Sequence, residues 1–163
     1  MRGAGIHMPP IKLLISDVDG TLTDAGMYYD ENGNEWKKFN TRDGKGLSLL
    51  RAKGIKIMFL TAEDTPIVER RATKLKMDFL CMGVEDKLSF LEEFFAQHPE
   101  FSFAATAYIG DDINDVPAMK RVGISAAPAD AMLENIRAAN YLCSLPGGSG
   151  CVREFCDYLL RRL

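Results

Sequence analysis

The chain has few of the residues that zinc sites and disulfide frameworks require. It contains two histidines, His7 and His98, and four cysteines, Cys81, Cys143, Cys151 and Cys156. No two cysteines form a C-x-x-C pair, so a zinc site is not expected. Isolated thiols of this kind suit a reducing compartment, and a cytoplasmic location is expected. No apolar run approaches the roughly 18 residues that a membrane helix needs. Residues 1–10 lack the apolar centre of a signal peptide and read as a flexible leader, in which Met8 offers an alternative start. Net charge is −3 with no long block of either sign, which argues against the basic stripe of a nucleic-acid surface. Repeats and low-complexity tracts are absent as well.

What remains is an ordinary globular composition, 47% apolar and 26% charged over 163 residues, which fits one domain over 11–163. Apolar, strand-like runs fall at 11–16, 55–60, 79–82, 105–109 and 123–125, with a short one at 141–142. Helical patterns fall between them at 44–53, 65–76, 87–97, 116–122 and 131–139, and a last one at 152–163. Asp64 or Thr65 can cap the second helix, where Pro66 suits the first turn. Alternating strands and helices predict an α/β fold of the doubly wound class, a parallel sheet with helices on both faces. One segment breaks the rhythm. At 27–39, Tyr28, Tyr29, Trp36 and Phe39 flank Asn32-Gly33, a pair that favours the positive φ of a tight turn. A β-hairpin protruding from the sheet is expected there. Its aromatic surface suggests an oligomer contact.

Ligands in open parallel sheets bind beyond the carboxyl ends of the strands. Asp17 and Asp19 follow the first strand, two residues apart, so both can face one way. Such a pair suits a nucleophile beside a general acid, with a hard cation between them. Thr61 follows the second apolar run, Lys87 opens a helix, and Gly110-Asp111-Asp112-Ile113-Asn114-Asp115 follows another strand. Each of these alone has a plainer reading: a turn or capping residue for an aspartate or threonine, a solvated helix residue for Lys87. Together they bring carboxylates, a hydroxyl and an ammonium to one sheet edge.

The ordered set Asp17-Val18-Asp19-Gly20-Thr21, Thr61, Lys87 and Gly110-Asp111-Asp112-x-x-Asp115 resembles the haloacid dehalogenase (HAD) superfamily of phosphotransferases. The resemblance implies a Mg²⁺ ion held by the side chains of Asp17 and Asp111 and the backbone carbonyl of Asp19. It implies Asp17 as nucleophile, forming an aspartyl-phosphate, and Asp19 as general acid and then base. Backbone N–H groups around Asp19 and Gly20, with Thr61 and Lys87, would hold the phosphoryl oxygens. Asp112 and Asp115 would make water-mediated metal contacts and orient Lys87.

Many members of the superfamily carry a cap domain, inserted after the first or second motif. The intervals 25–60 and 62–86 are already filled by predicted elements and are too short for a further folded unit. A capless type is therefore expected. Asp17-Val18-Asp19-Gly20-Thr21-Leu22-Thr23-Asp24, Phe39-Asn40-Thr41-Arg42-Asp43-Gly44 and Gly147-Gly148-Ser149-Gly150-Cys151-Val152-Arg153-Glu154 are similar to the 2-keto-3-deoxy sugar-acid phosphatases. That family implies a homotetramer in which neighbouring subunits complete each other's sites. Thr61-Ala62-Glu63 together with Lys74 looks more like the nononate 9-phosphate enzymes than the octulosonate 8-phosphate enzymes. Glu63 and Lys74 can read sugar hydroxyls, and Arg70, Arg71 or Lys74 can meet the sugar carboxylate. Gly20, Asp43 and Arg153 complete the candidate substrate contacts. The Gly147–Gly150 tract reads either as a linker or as backbone approaching substrate or a neighbour.

The expected activity is a Mg²⁺-dependent phosphatase for a nine-carbon keto-sugar acid phosphate, with the eight-carbon phosphate as the alternative. A non-catalytic oligomerisation module of sialic-acid activation is the alternative of another class, and such modules tend to lose motif carboxylates. A mutase or phosphotransferase needs a site that excludes water, which a capless protein lacks.

Overall fold

Residues 10–163 are described by a computed structural model. The expected leader falls almost entirely on residues 1–9, outside the described residues. Six parallel strands form one sheet in the order β5-β4-β1-β6-β7-β8. They are β1 (Leu13–Ser16), β4 (Lys56–Leu60), β5 (Phe79–Cys81), β6 (Thr106–Ile109), β7 (Ile124–Ala127) and β8 (Tyr141–Leu142). The strand order reverses around β1, and the ends of β1, β4 and β6 converge at that switch point, where open α/β sheets bind ligands.

Alternation along the central strands builds two cores. Leu14, Ile57, Phe59, Ala107 and Ile109 face one side, against α1 (Thr41–Arg51), α2 (Pro66–Leu75) and α6 (Cys151–Leu160). Leu13, Ile15, Met58, Leu60 and Tyr108 face the other, against α3 (Lys87–Gln97) and α4 (Val116–Met119). Helix α5 (Leu133–Ala138) joins the second layer through Ile136. Each fully buried Leu, Ile or Phe contributes ~1.5–3 kcal/mol, so both faces of the sheet are held, as the doubly wound class requires.

Helix starts follow local chemistry. The Thr65 hydroxyl accepts from the Val68 N–H and Pro66 occupies the first turn, as expected. Helix α1 starts three residues before the expected 44, because the Asn40 side chain caps it by accepting from the Arg42 N–H. The helix expected at 116–122 is shorter. It starts at Val116 as expected, directly after a 3₁₀ turn at Ile113–Asp115, but ends at Met119. The last helix begins at Cys151 and ends at Leu160 rather than 163. Among the described residues no helix is long and apolar enough to cross a membrane.

The hairpin exists, formed by β2 (Tyr28–Tyr29) and β3 (Glu35–Trp36). Its turn is wider than a two-residue one. The Asp30 side chain accepts from the N–H groups of Asn32 and Asn34, and Gly33 takes φ +81°. Only the hairpin and α1 lie between β1 and β4, and only α2 and β5 between β4 and α3, so the fold carries no cap.

Candidate active site

The first loop after β1 is drawn tight by its own backbone. N–H groups of Thr21, Leu22 and Thr23 all turn back to the Val18 carbonyl. The Gly20 N–H donates to the Thr23 hydroxyl at 3.1 Å, so it is not the free phosphoryl donor expected of it. Gly20 serves another purpose. It sits at φ +81°, and a Cβ there would lie 1.9 Å from Asp111 Oδ2. Only glycine lets the two acidic loops meet.

At their junction lies a buried knot of charge. Lys87 opens α3, whose start Asp86 caps, and its side chain is fully enclosed. Its Nζ lies 2.7 Å from Asp17 Oδ1 and 2.6 Å from Asp115 Oδ1. Burial alone would lower the Lys87 pKa; the charges of Asp17 and Asp115 outweigh it and the net shift is upward. Asp115 is saturated. Oδ1 also accepts from the Tyr108 hydroxyl at 2.6 Å, and Oδ2 accepts from the N–H groups of Asp111 and Asp112. Burial, then the Asp115 charge, pushes the Asp17 carboxyl well above its usual range, with Lys87 opposing. Burial likewise raises Asp111 to about 6, while the chance of sharing a proton with Asp17 works the other way. Surplus negative charge in a buried cluster is what a divalent cation relieves.

An open cavity of about 200 Å³ faces this knot, lined by Asp17, Asp19, Ala25, Thr61, Ala62, Glu63, Asp111, Asp112 and Asn114. Thr61 is buried. Its hydroxyl oxygen accepts from the Glu63 N–H at 3.1 Å, which leaves the hydroxyl proton to donate. Asp112 does not orient Lys87 as expected. Its carboxylate accepts from the Ile113 N–H and caps the 3₁₀ turn, and its carbonyl accepts from the buried Asn135 side chain. Of Asp112 and Asp115, only Asp115 reaches the lysine.

The candidate substrate residues divide. Glu63 lines the cavity; Arg70, Arg71, Lys74, Asp43 and Arg153 do not. Arg70 and Lys74 are exposed on α2, and among the described residues no ion pair joins Glu63 to Lys74. Arg71 is half-buried, bonds the Asn40 carbonyl and lies over the Phe39 ring. Asp43 is buried and accepts from the Arg153 backbone N–H at 2.8 Å, while the Arg153 side chain turns to Asp157. Burial pushes Asp43 up to about 6. These residues join α1 to α6 within the subunit.

The glycine tract is neither a linker nor a free row of donors. A Cβ at Gly147 would lie 2.0 Å from the Gly20 carbonyl oxygen, and one at Gly148 2.5 Å from the Asp24 nitrogen. The Gly147 N–H donates to Asp130 and the Gly148 N–H to the Thr21 carbonyl, so the tract braces the first loop. Nearby, burial raises the thiols of Cys143, Cys151 and Cys156, with Cys143 at about 12, and all three are free. They are inert at neutral pH.

Four residues of the site were not foreseen. Tyr108 occupies an inward strand position that reads as plain core. Lys37, just after β3, places its Nζ 2.6 Å from Asp19 Oδ1. Ala25 and Asn114 also line the cavity. Asn114 sits inside the acidic motif, so its neighbours were a signal; Ala25 had none.

A carboxylate pair, a buried hydroxyl, an enclosed lysine and an acidic turn, all at one switch point, define a phosphoryl-handling hydrolase. No family model matches the chain. It is 42% identical over 153 residues to the 3-deoxy-D-manno-octulosonate 8-phosphate phosphatase KdsC of Escherichia coli (strain K12), covering 92% of this chain and 79% of that protein. The crystal structure of the Moraxella catarrhalis 3-deoxy-D-manno-octulosonate 8-phosphate phosphatase, in complex with a magnesium ion, a phosphate ion and a KDO molecule, superposes with TM-score 0.88 at 33% identity. That match covers 93% of this chain and 86% of the other. A HAD-superfamily (subfamily III A) hydrolase from Legionella pneumophila gives TM-score 0.89 at 36% identity, covering 93% and 82%. The chain belongs to the HAD superfamily, among the capless sugar-acid phosphatases close to KdsC.

Proposed function

We propose that the protein is a Mg²⁺-dependent phosphatase whose substrate is the eight-carbon keto-sugar acid phosphate, 3-deoxy-D-manno-octulosonate 8-phosphate. The observation that carries the reaction is the Asp17–Lys87–Asp115 chain of contacts beside a cavity edged by Asp19, Thr61 and Asp111. The substrate reading rests on the KdsC relatives, 42% identical.

The acidic residues fit a divalent cation. Carboxylate oxygens of Asp17, Asp111 and Asp115 lie within 4.8 Å of one another. Asp115 has its oxygens filled by donors, whereas Asp111 Oδ1 is buried without a partner. Asp17 and Asp111, with the Asp19 carbonyl, would therefore hold Mg²⁺, and Asp115 would position Lys87. Bound there, Mg²⁺ would offset the repulsion between these carboxylates and a phosphate dianion.

The chain's own groups then do the following. A carboxylate oxygen of Asp17 attacks phosphorus as the bond from phosphorus to the sugar oxygen breaks. Asp19 gives its proton to the departing alkoxide. In the second half Asp19 takes a proton from water, whose oxygen attacks the aspartyl-phosphate phosphorus. The Asp17–phosphorus bond breaks, and inorganic phosphate and the free carboxylate are restored. Thr61 and Lys87 donate to the phosphoryl oxygens as charge shifts onto them.

The nine-carbon 9-phosphate is the second reading, supported by Glu63 on the cavity wall. A homotetramer with shared sites is proposed too, supported by the aromatic hairpin, where Tyr29 is 60% and Trp36 63% exposed. Arg70 and Lys74, exposed on α2, would serve substrate only across such an interface. A kinetic panel with Mg²⁺ tests the function. The expected result is kcat/KM highest for the octulosonate 8-phosphate. A preference for the nononate 9-phosphate, weakened by Glu63→Ala more than aryl phosphate turnover is, transfers the assignment to the second reading. No hydrolysis of any sugar phosphate by folded protein revives the non-catalytic module.

A further inference from the structure

We infer that Lys37 is a positioning residue for the acid/base Asp19, and that through it the hairpin bears on the step that expels the sugar. The inference rests on the phosphatase reading above. Lys37 belongs to a projecting segment, yet its side chain is 2% exposed, while Tyr28, Tyr29 and Trp36 of the same hairpin face outward. A lysine stem so enclosed, carried on an otherwise exposed hairpin, is directed at something inside.

Its Nζ lies 2.6 Å from Asp19 Oδ1 and 3.2 Å from Glu35 Oε1. Among the described residues, no other side chain hydrogen-bonds the Asp19 carboxylate. The tether is charge-assisted, the stronger kind of hydrogen bond. It takes one oxygen of Asp19 and leaves the other, Oδ2, buried without a partner. Asp19 also lines the cavity with Asp17. A carboxyl fixed by one oxygen keeps a single orientation, with its second oxygen available to the bridging atom of a bound phosphate ester. Proton transfer needs that orientation within hydrogen-bond reach. Without the tether, the Asp19 side chain rotates among its staggered wells. Glu35 flanks Lys37 from the same hairpin, so the tether is set by β3 and not by the sheet.

The test separates a positioning role from a general structural one by leaving group. A sugar alkoxide needs a proton to depart; a nitrophenolate does not. Single-turnover release of the sugar and of nitrophenolate, from excess wild type or Lys37→Met with Mg²⁺, isolates the first step, because hydrolysis of the aspartyl-phosphate is common to both substrates; Mg²⁺ affinity is read by calorimetry. The expected result is a loss of about 10²-fold in the rate at which the sugar is released from the octulosonate 8-phosphate. The Mg²⁺ affinity and the release of nitrophenolate from p-nitrophenyl phosphate should each stay within about three-fold. Equal losses of release from both substrates, or no loss on either, overturn the inference. Should Lys37→Met not fold, Lys37→Gln is put through the same comparison and judged by the same outcomes. A folded wild type that hydrolyses neither substrate overturns the phosphatase reading itself, and the inference with it.

Discussion

Two regions meet at Asp19 and are built on opposite terms. The knot of Asp17, Lys87, Asp115 and Tyr108 is enclosed, and its contacts come from β1, α3, the acidic turn and β6 of one chain. The hairpin spends little of its surface on its own chain; Met27, Tyr28, Tyr29 and Trp36 are all exposed. Buried charges must be matched locally, because desolvation makes an unpaired one costly. Exposed rings carry no such requirement and can await a partner surface. The knot can therefore be understood from one chain, whereas the exposed hairpin suits the shared-site tetramer proposed above. Lys37 is where the two regions touch.

Removing a member of the knot should have the largest effect on stability. Lys87→Met leaves Asp17 and Asp115 facing each other without their cation. Without Mg²⁺, denaturant unfolding should show a loss of about 3–5 kcal/mol. A loss below about 1 kcal/mol would mean the knot is not held by Lys87.

Asp43 comes next, because it is buried like the knot but lies away from the cavity. Its folded pKa is raised to about 6, mainly by burial. A raised carboxyl pKa favours the folded state most at pH below the unfolded value, and that contribution is lost as pH rises through about 6. Asp43→Asn does not titrate. Its stability relative to wild type should therefore improve by about 2–3 kcal/mol between pH 4 and pH 7. A gap that does not move with pH would place Asp43 in a more solvated setting.

A smaller effect belongs to the brace. Gly147→Ala sets a methyl against the Gly20 carbonyl and should cost about 1–3 kcal/mol. Its Mg²⁺ affinity, read by calorimetry, should fall as the first loop shifts; unchanged stability would show that the loop yields freely. The hairpin should give the smallest effect of all. Trp36→Ser should change the stability of the dissociated subunit by no more than about 0.5 kcal/mol. Sedimentation should nonetheless shift toward smaller species. An unaltered assembly would remove the hairpin from the interface.

Much of this was legible in the residue order. Strand and helix alternation pointed to the sheet, and Asp17, Thr61, Lys87 and Asp111 could be placed at one edge because each follows or opens an element there. What stayed hidden depended on distant chain segments meeting. Tyr108 alternates into the core like its neighbours, and only its contact with Asp115 sets it apart. Lys37 reads as one of two surface lysines until the hairpin folds back onto Asp19. Arg71 and Asp43 look like ligand contacts by type, yet they serve α1 and its surroundings. The Gly147 tract looks flexible because glycine usually is. Here its missing side chains let two loops come together.

Asp17 is proposed as the group that takes the phosphoryl unit. Phosphate release from 3-deoxy-D-manno-octulosonate 8-phosphate by Asp17→Asn, beside wild type and with Mg²⁺, tests it most directly. Turnover should fall at least ~10⁴-fold in a variant that keeps its fold. Release within about ten-fold of wild type would contradict the assignment.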